Sequence, residues 1–302
     1  MQIAVQTMTD FATSLDVARW AEDEGLAGFA VADHYITSQT RSYALDQLTV
    51  LAGIAASTDR IGLTTLVSPI TFRHPAVMLK TAVTLDEISG GRFSLGVGAG
   101  WMEEEHEMLG FDFPDARERF DRLEEALAYL HAVRTGSEEG FTGRYYRLAP
   151  GPPPEPLGRS VRIIVGGSGA RRTPDLAGRF ADEFNAFPGK DPIGPRIEAA
   201  RRAAEAADRD PDSLFISTAF PLVIGADEAD LERRIEKVAA SRGGDSERIR
   251  RRWPQIGIPV ATAEQYGTHL AALEKEGVRR VYCQVAFDSL DDIRHMVGLL
   301  KS

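Results

Sequence analysis

The feature that most constrains this chain is a repeated unit: a short apolar run followed by a stretch with helical spacing. Within the first hundred residues, apolar runs at 3–7, 29–32, 61–67 and 93–97 alternate with helical patterns at 14–24, 46–57 and 75–88. Leu15 and Ala18 sit at helical spacing, Gly25 stands where a C-cap glycine belongs, and Pro75 falls in a first helical turn. After a pause the alternation resumes. A long amphipathic helix is predicted over 116–133, with Phe120, Leu123, Leu127 and Leu130 on one face. Strands follow at 161–165, 182–186, 214–224 and 278–285, and helices at 197–207, 263–276 and 291–300. Parallel strands need crossover connections, so strands joined through helices form a parallel sheet. Eight of them predict an α/β fold of the closed (β/α)8 TIM-barrel type, as a single domain over residues 1–302.

Two segments interrupt the pattern. Residues 136–158 are irregular, and the segment APGPPPEP at 149–156 suits neither a helix nor a central strand. A long loop of this kind in a compact domain is usually functional. Residues 226–253 are densely charged and end in ERIRRRW. They are read as a charged helical insertion after strand seven, with a lid or partner-binding role as the alternative.

Charge and cysteine usage exclude several classes. The net charge is −10, which argues against nucleic-acid binding, since that needs a basic surface. One cysteine, Cys283, allows no internal disulfide and suits a reducing compartment. The N-terminus lacks a basic segment followed by an apolar stretch, and no apolar run reaches the roughly 20 residues of a membrane span. These observations predict a cytoplasmic protein that binds neither membrane nor nucleic acid. Cys283 lies within the last strand, where core packing is its expected role.

The active site of a (β/α)8 barrel lies at the carboxyl ends of its strands. After strand two stand Asp33, His34 and Tyr35. A histidine there can orient a ligand or exchange a proton; equally, Asp33 can cap a turn and His34 be a packed polar residue. After strand three comes TTLVSPITFRHP, which suits either a bulge or unusual peptide bond beside a ligand, or a loop fixed by prolines. GVGAGW follows strand four, and its glycines allow a flat ring or phosphate close to the backbone, or relieve crowding at the rim. It is not a dinucleotide fingerprint, because the last spaced glycine and a following acidic residue are missing. The acidic run Glu103, Glu104, Glu105 and Glu107 with His106 lies at successive positions. A helix would spread them over several faces, so they read as helix N-terminal charges and no metal site is expected. After strand five, VGGSGARRT offers glycine N–H groups, a helix start and arginines, a combination that suits a phosphate.

Taken in order, these segments resemble the luciferase-like monooxygenase family, and within it the deazaflavin-dependent oxidoreductases that use coenzyme F420. The carriers are VADHY, FRHPAVMLKTAVTLDEISGGRFSLGVGAGW, RFDRLEEAL, FTGRYYRL and IIVGGSGARRTPDLAGRFADEFNA, which span nearly the whole chain. The resemblance implies a barrel with His34 near the isoalloxazine-type ring and Asp33 beside it. It implies a non-prolyl cis peptide at Thr65 and Leu66, backing the ring, and backbone contacts from Ala99 and Gly100. It assigns a phosphate to the loop Val165, Gly166, Gly167, Ser168 and Gly169, with Arg172 as reinforcement. Tyr35 and Trp101 would wall the substrate pocket. Trp101 stands where the family's sugar-phosphate dehydrogenases carry a catalytic glutamate, which argues against that activity.

With a deazaflavin, the resemblance implies hydride transfer to or from a small organic substrate: an alcohol or aldehyde, an activated C=C bond or an imine. His34 is then the candidate proton-exchange residue. The alternative is an FMN-dependent two-component monooxygenase supplied by a partner flavin reductase, and a further alternative is a non-catalytic flavin-binding relative. Family members are usually homodimers through outer helices. A phosphosugar isomerase or aldolase would need a strand-end lysine or glutamate that is absent.

Overall fold

The computed structural model describes residues 1–36, 43–151, 161–241, 244–285 and 288–301. Eight parallel strands close into a barrel: β1 (Gln2–Thr7), β2 (Gly28–Val31), β3 (Gly62–Thr65), β4 (Phe93–Gly98), β5 (Arg162–Gly167), β6 (Glu183–Ala186), β7 (Phe215–Pro221) and β8 (Arg280–Gln284). Neighbours in sequence are neighbours in the ring. It shuts where Gln2 of β1 pairs with Arg280 of β8, and where Leu63 of β3 pairs with Phe93 of β4. Around it run α1 (Phe11–Asp23), α2 (Gln47–Ala55), α3 (Pro75–Ser89), α4 (Glu103–Leu109), α5 (Ala116–Thr135), α6 (Arg172–Phe180), α7 (Ile193–Ala206), α8 (Glu228–Ser241), α9 (Ser246–Arg252), α10 (Ala263–Lys275) and α11 (Leu290–Lys301).

The helix boundaries follow local chemistry. α1 begins at Phe11, ahead of the expected 14, because the Asp10 carboxylate accepts from the Thr13 N–H. α2 is capped in the same way by Asp46. α3 carries Pro75 in its first turn and ends on Gly90, whose φ of 65° is the left-handed conformation glycine tolerates best. α6 was anticipated only as a helix start.

Two expectations about the interruptions are refined. The predicted strand 214–224 divides into β7 and Val223–Gly225, which leaves the barrel and pairs with Val260–Thr262. That pair, α8 and α9 enclose a separate apolar cluster of Val223, Leu231, Ile235, Val238, Ala239 and Ile249. The charged segment is therefore helical and amphipathic, with one face of α8 packed on that strand pair. The stretch 136–158 contains a short hairpin, Phe141–Thr142 with Arg147–Leu148, below the length that periodicity reveals. It is pinned to α5 by Glu125, which accepts from the N–H groups of Arg144, Tyr145 and Tyr146. Residues 152–158 of the proline-rich loop lie outside the described residues.

Alternate residues along each strand separate two cores. Val5, Phe29, Leu63, Leu95, Val165, Phe184 and Cys283 meet the helices. Ala4, Ala30, Leu66, Ile164, Ala219 and Tyr282 fill the barrel interior. Below them Glu183 accepts from Ser217 (2.6 Å) and Arg280 (3.2 Å), and burial pushes its carboxyl above the ordinary range. Among the described residues no helix is long and apolar enough to cross a membrane.

Two measurements check this packing. A Cβ on Gly96 would lie 1.9 Å from the Thr65 carbonyl oxygen, whereas one on Gly267, in mid-α10, meets nothing within 4 Å. In urea unfolding, Gly96→Ala is expected to lose at least about 1–3 kcal/mol, and Gly267→Ala to gain about 0.5–1 kcal/mol. Cys283 is fully buried and its thiol is pushed up to about 12. Iodoacetamide at pH 8 should therefore leave it unmodified in the native protein and alkylate it in denaturant.

Candidate active site

A cavity of about 550 Å³ opens at the carboxyl end of the barrel, within the range of small-molecule and cofactor sites. Its lining follows from strand alternation. One residue pair above the interior core, four strands deliver their next inward residues to the cavity: Gln6 above Ala4, Ala32 and His34 above Ala30, Gly166 and Ser168 above Ile164, and Gln284 above Tyr282. The floor is fixed by amides, with Gln284 Nε2 donating to Gln6 Oε1 (2.8 Å) and Gln6 Nε2 to the Leu66 carbonyl (2.5 Å).

His34, Leu66, Ala99, Gly100, Trp101, Gly166, Gly167, Ser168 and Gly169 all line this cavity, as expected. The other residues singled out from sequence do not. Thr65 and Val165 point away from the barrel axis, and both are fully buried. Tyr35 packs on Phe72 and Phe111, with ring centroids 4.7 and 5.1 Å away. Asp33 is buried beneath the rim, where it accepts from Ser68 (2.7 Å) and Arg73 (2.5 Å). Arg73 also donates to Asp46 (2.8 Å), so one guanidinium braces the loops after β2 and β3 to the start of α2. Arg172 bonds Asp121 (2.7 Å) and Glu124 (3.1 Å) of α5 and covers the Phe120 ring, so it supports the cavity wall from behind.

The peptide between Leu66 and Val67 is cis, one bond beyond the expected Thr65–Leu66 position. Val67 stands between the glycine-bearing strands: a Cβ on Gly98 or Gly166 would come within 2.8 or 2.7 Å of its methyl groups. Gly98 and Gly166 are therefore demanded by packing. Gly100, with φ of 80°, turns the chain out along the cavity edge toward Trp101, which is 68% exposed. Across the cavity, Gly166–Gly169 lead into α6, whose first turn has no side-chain cap and places Thr173 on the wall. A cradle of glycine backbone, an uncapped helix start and an apolar slot bounded by Leu66, Val67, Phe120 and Phe187 suit a flat ring carrying a phosphate.

His34 is the only ionisable side chain among the lining residues described, serine and threonine hydroxyls aside. Its Nδ1 lies 2.9 Å from Glu105 Oε1, and its ring meets Trp101 edge-on at 5.6 Å. Glu105 comes from the acidic run read as helix N-terminal charges. Glu103, Glu104 and Glu105 do occupy the first turn of α4, but Glu105 and His106 are both buried. The signal in the sequence was Met102 and Leu109 at i and i+7, which bracket Glu105 and His106 on one helical face. Gln6 and Gln284 were missed because they lie inside strands rather than after them. Among the described residues no group of three His, Cys, Asp or Glu side chains is disposed for a metal ion.

A family model described as luciferase-like monooxygenase matches residues 2–282. An F420-dependent glucose-6-phosphate dehydrogenase of Nocardia farcinica is 32% identical, over 85% of this chain and 84% of its own. A protein of the same name from Nakamurella multipartita is 35% identical over 66% of this chain and 60% of its own. Among solved structures, monooxygenase RslO1 from Streptomyces bottropensis superposes with a TM-score of 0.81 at 20% identity, over 99% of this chain and 97% of its own. An F420-dependent secondary alcohol dehydrogenase in complex with an F420-acetone adduct gives 0.77 at 18% identity, over 100% and 99%. Likenesses at such identities show the shared barrel.

The brace beneath the rim is open to test. Among the described residues, Arg73→Met would leave the buried Asp33 carboxylate with Ser68 alone. A loss of roughly 3–5 kcal/mol in denaturant unfolding is expected from stranding a buried charge, and a change below about 0.5 kcal/mol would show that the brace contributes little.

Proposed function

Because this chain belongs to the luciferase-like monooxygenase family, we propose that it is an oxidoreductase that uses coenzyme F420 to move a hydride to or from a small organic substrate. The observation that carries this reading is His34, the one ionisable side chain among the described lining residues of a glycine-cradled cavity, serine and threonine hydroxyls aside. When bound, coenzyme F420 supplies a ring carbon that accepts or gives a hydride. The residues of the chain then bind, orient and move one proton. Leu66 and Val67 back the ring, Ala99 and Gly100 border it, and Gly166–Gly169 with the start of α6 hold the phosphate. Trp101 forms the outer wall.

A site with one proton-exchange group favours a substrate that trades one proton as it trades a hydride. Alcohols and the corresponding carbonyl compounds are therefore first in line, ahead of activated C=C bonds and imines. The structural neighbour that is named a secondary alcohol dehydrogenase supports this order. The sequence relatives are named for glucose 6-phosphate, but Trp101 occupies the position where the sugar-phosphate dehydrogenases carry their acid, so a less polar substrate is proposed. The same reading includes a homodimer through outer helices. Val77 and Ile88 are exposed on one face of α3, three turns apart.

Titration of the purified protein with F420 and, separately, with FMN tests the cofactor. Tighter binding of F420 is expected. Preference for FMN would move the reading to the oxygen-inserting chemistry named for neighbours such as RslO1, and binding without turnover on any substrate would make it a non-catalytic relative. In F420-linked alcohol oxidation, His34→Gln is expected to lower kcat on the order of 10²- to 10⁴-fold, the usual worth of a positioned proton acceptor.

A further inference from the structure

We propose that Glu105 is a positioning residue: it dictates which nitrogen of the neutral His34 ring carries the proton, and so presents a bare Nε2 to the substrate. The proposal rests on the reading of His34 as proton acceptor given above.

Glu105 is 1% exposed and both its oxygens are engaged. Oε1 lies 2.9 Å from His34 Nδ1, and Oε2 accepts from the Tyr35 backbone N–H at 2.9 Å. A backbone N–H can only donate and a carboxylate can only accept. Nδ1 must therefore hold the proton, and in the neutral ring Nε2 is left with its lone pair. His34 lines the cavity, and among the described residues Nε2 has no protein partner. Second-group control of a histidine tautomer is a general device.

The clamp does not hang on a mobile side chain. The next residue of α4, His106, is fully buried. Its Nδ1 donates to the Met102 carbonyl (2.7 Å) and its Nε2 meets the Thr71 hydroxyl (2.8 Å). The rings of Phe72 and Phe113 pack on it at 5.0 and 4.6 Å. Glu105 is thus delivered to His34 by a helix that is itself locked in place.

The chemistry balances with one proton and one hydride. The carbinol C–H bond would break as its hydride leaves, with the oxidised cofactor, when bound, as the acceptor, and the C–O bond would become C=O. The O–H bond breaks, its proton passes to Nε2, and the product is a carbonyl compound beside a protonated imidazole. A histidine protonated at Nε2 from the start cannot take that proton.

Glu105→Gln separates this role from simple packing. A glutamine has one acceptor and one donor group. The Tyr35 N–H claims the acceptor, so the amide NH2 faces His34 and requires Nδ1 to accept. The ring must then carry its proton on Nε2. The experiment has two arms. Histidine-selective ¹⁵N spectra of the cofactor-free protein, with His34→Gln used to assign the signals, report the tautomer. Single-turnover and steady-state kinetics report the reaction. The expected result is a bare Nε2 in the wild type and a bare Nδ1 in Glu105→Gln. In the variant kcat for alcohol oxidation falls on the order of 10²- to 10⁴-fold, while KM and cofactor Kd stay within about twofold, since ground-state binding is untouched. A bare Nδ1 in the wild type, a variant that keeps Nε2 bare, or a variant with undiminished kcat overturns the proposal. The wild-type spectrum decides even if the variant does not fold. Absence of turnover by the wild type would count against the hydride-transfer reading alone, because the spectra need neither cofactor nor substrate.

Discussion

The floor of the cavity and its histidine depend on one geometric constraint: in a closed parallel barrel only alternate residues of each strand reach the interior. The ring of Ala4, Ala30, Leu66, Ile164, Ala219 and Tyr282 fills the middle of the barrel, and the next inward residues of the strands that carry Ala4, Ala30, Ile164 and Tyr282 reach the mouth. That step of two makes His34 a cavity residue and turns Asp33 and Tyr35 away from it. It brings Gln6 and Gln284 to the floor although neither follows a strand, and it removes Thr65 and Val165 from the list of residues able to touch a ligand.

Around this constraint the outward-turned residues become supports. Asp33, excluded from the cavity, anchors Arg73 and Ser68 and so ties two rim loops to α2. A buried carboxylate is tolerable only when it is hydrogen-bonded and its charge is matched, and here Asp33 Oδ2 accepts from both Ser68 and Arg73. Arg172 does the same work at the opposite wall, joining α6 to α5 behind Phe120. Arg73 and Arg172 are thus paired outside the cavity, and among its described lining residues His34 is the one ionisable side chain, serine and threonine hydroxyls aside. In such surroundings the Glu105 carboxylate that meets His34 has an outsized influence, because an electrostatic interaction strengthens where water is scarce.

Much of this was legible before any coordinates. The alternation of runs and helical stretches is strong because each strand is buried on both faces and each helix on one, so pattern and burial agree. The glycine segments after β4 and β5 and the histidine after β2 line the cavity for a related reason: strand ends at the carboxyl face of a barrel border its mouth. The hairpin at 141–148 stayed hidden because its two-residue strands are too short for a period to show. Glu105 stayed hidden because a run of four glutamates reads as solvated charge until the helix is turned and one of them is seen to face inward. Arg172 was assigned to the phosphate loop on proximity in sequence, whereas its side chain is captured by two carboxylates of α5.

The sequence by itself determined the fold, the family and the segments that border the cavity, because these depend on periodicity and on short motifs that survive without long-range contacts. The tertiary structure alone decided which residue of each segment faces in, which charges are paired away from the cavity, and that Glu105, 71 positions from His34, holds its ring. Those outcomes depend on the phase of each strand within the ring and on the rotation of α4 about its own axis. Both are set by packing between distant parts of the chain; the spacing of Met102 and Leu109 marks the buried face of α4 but not what that face meets.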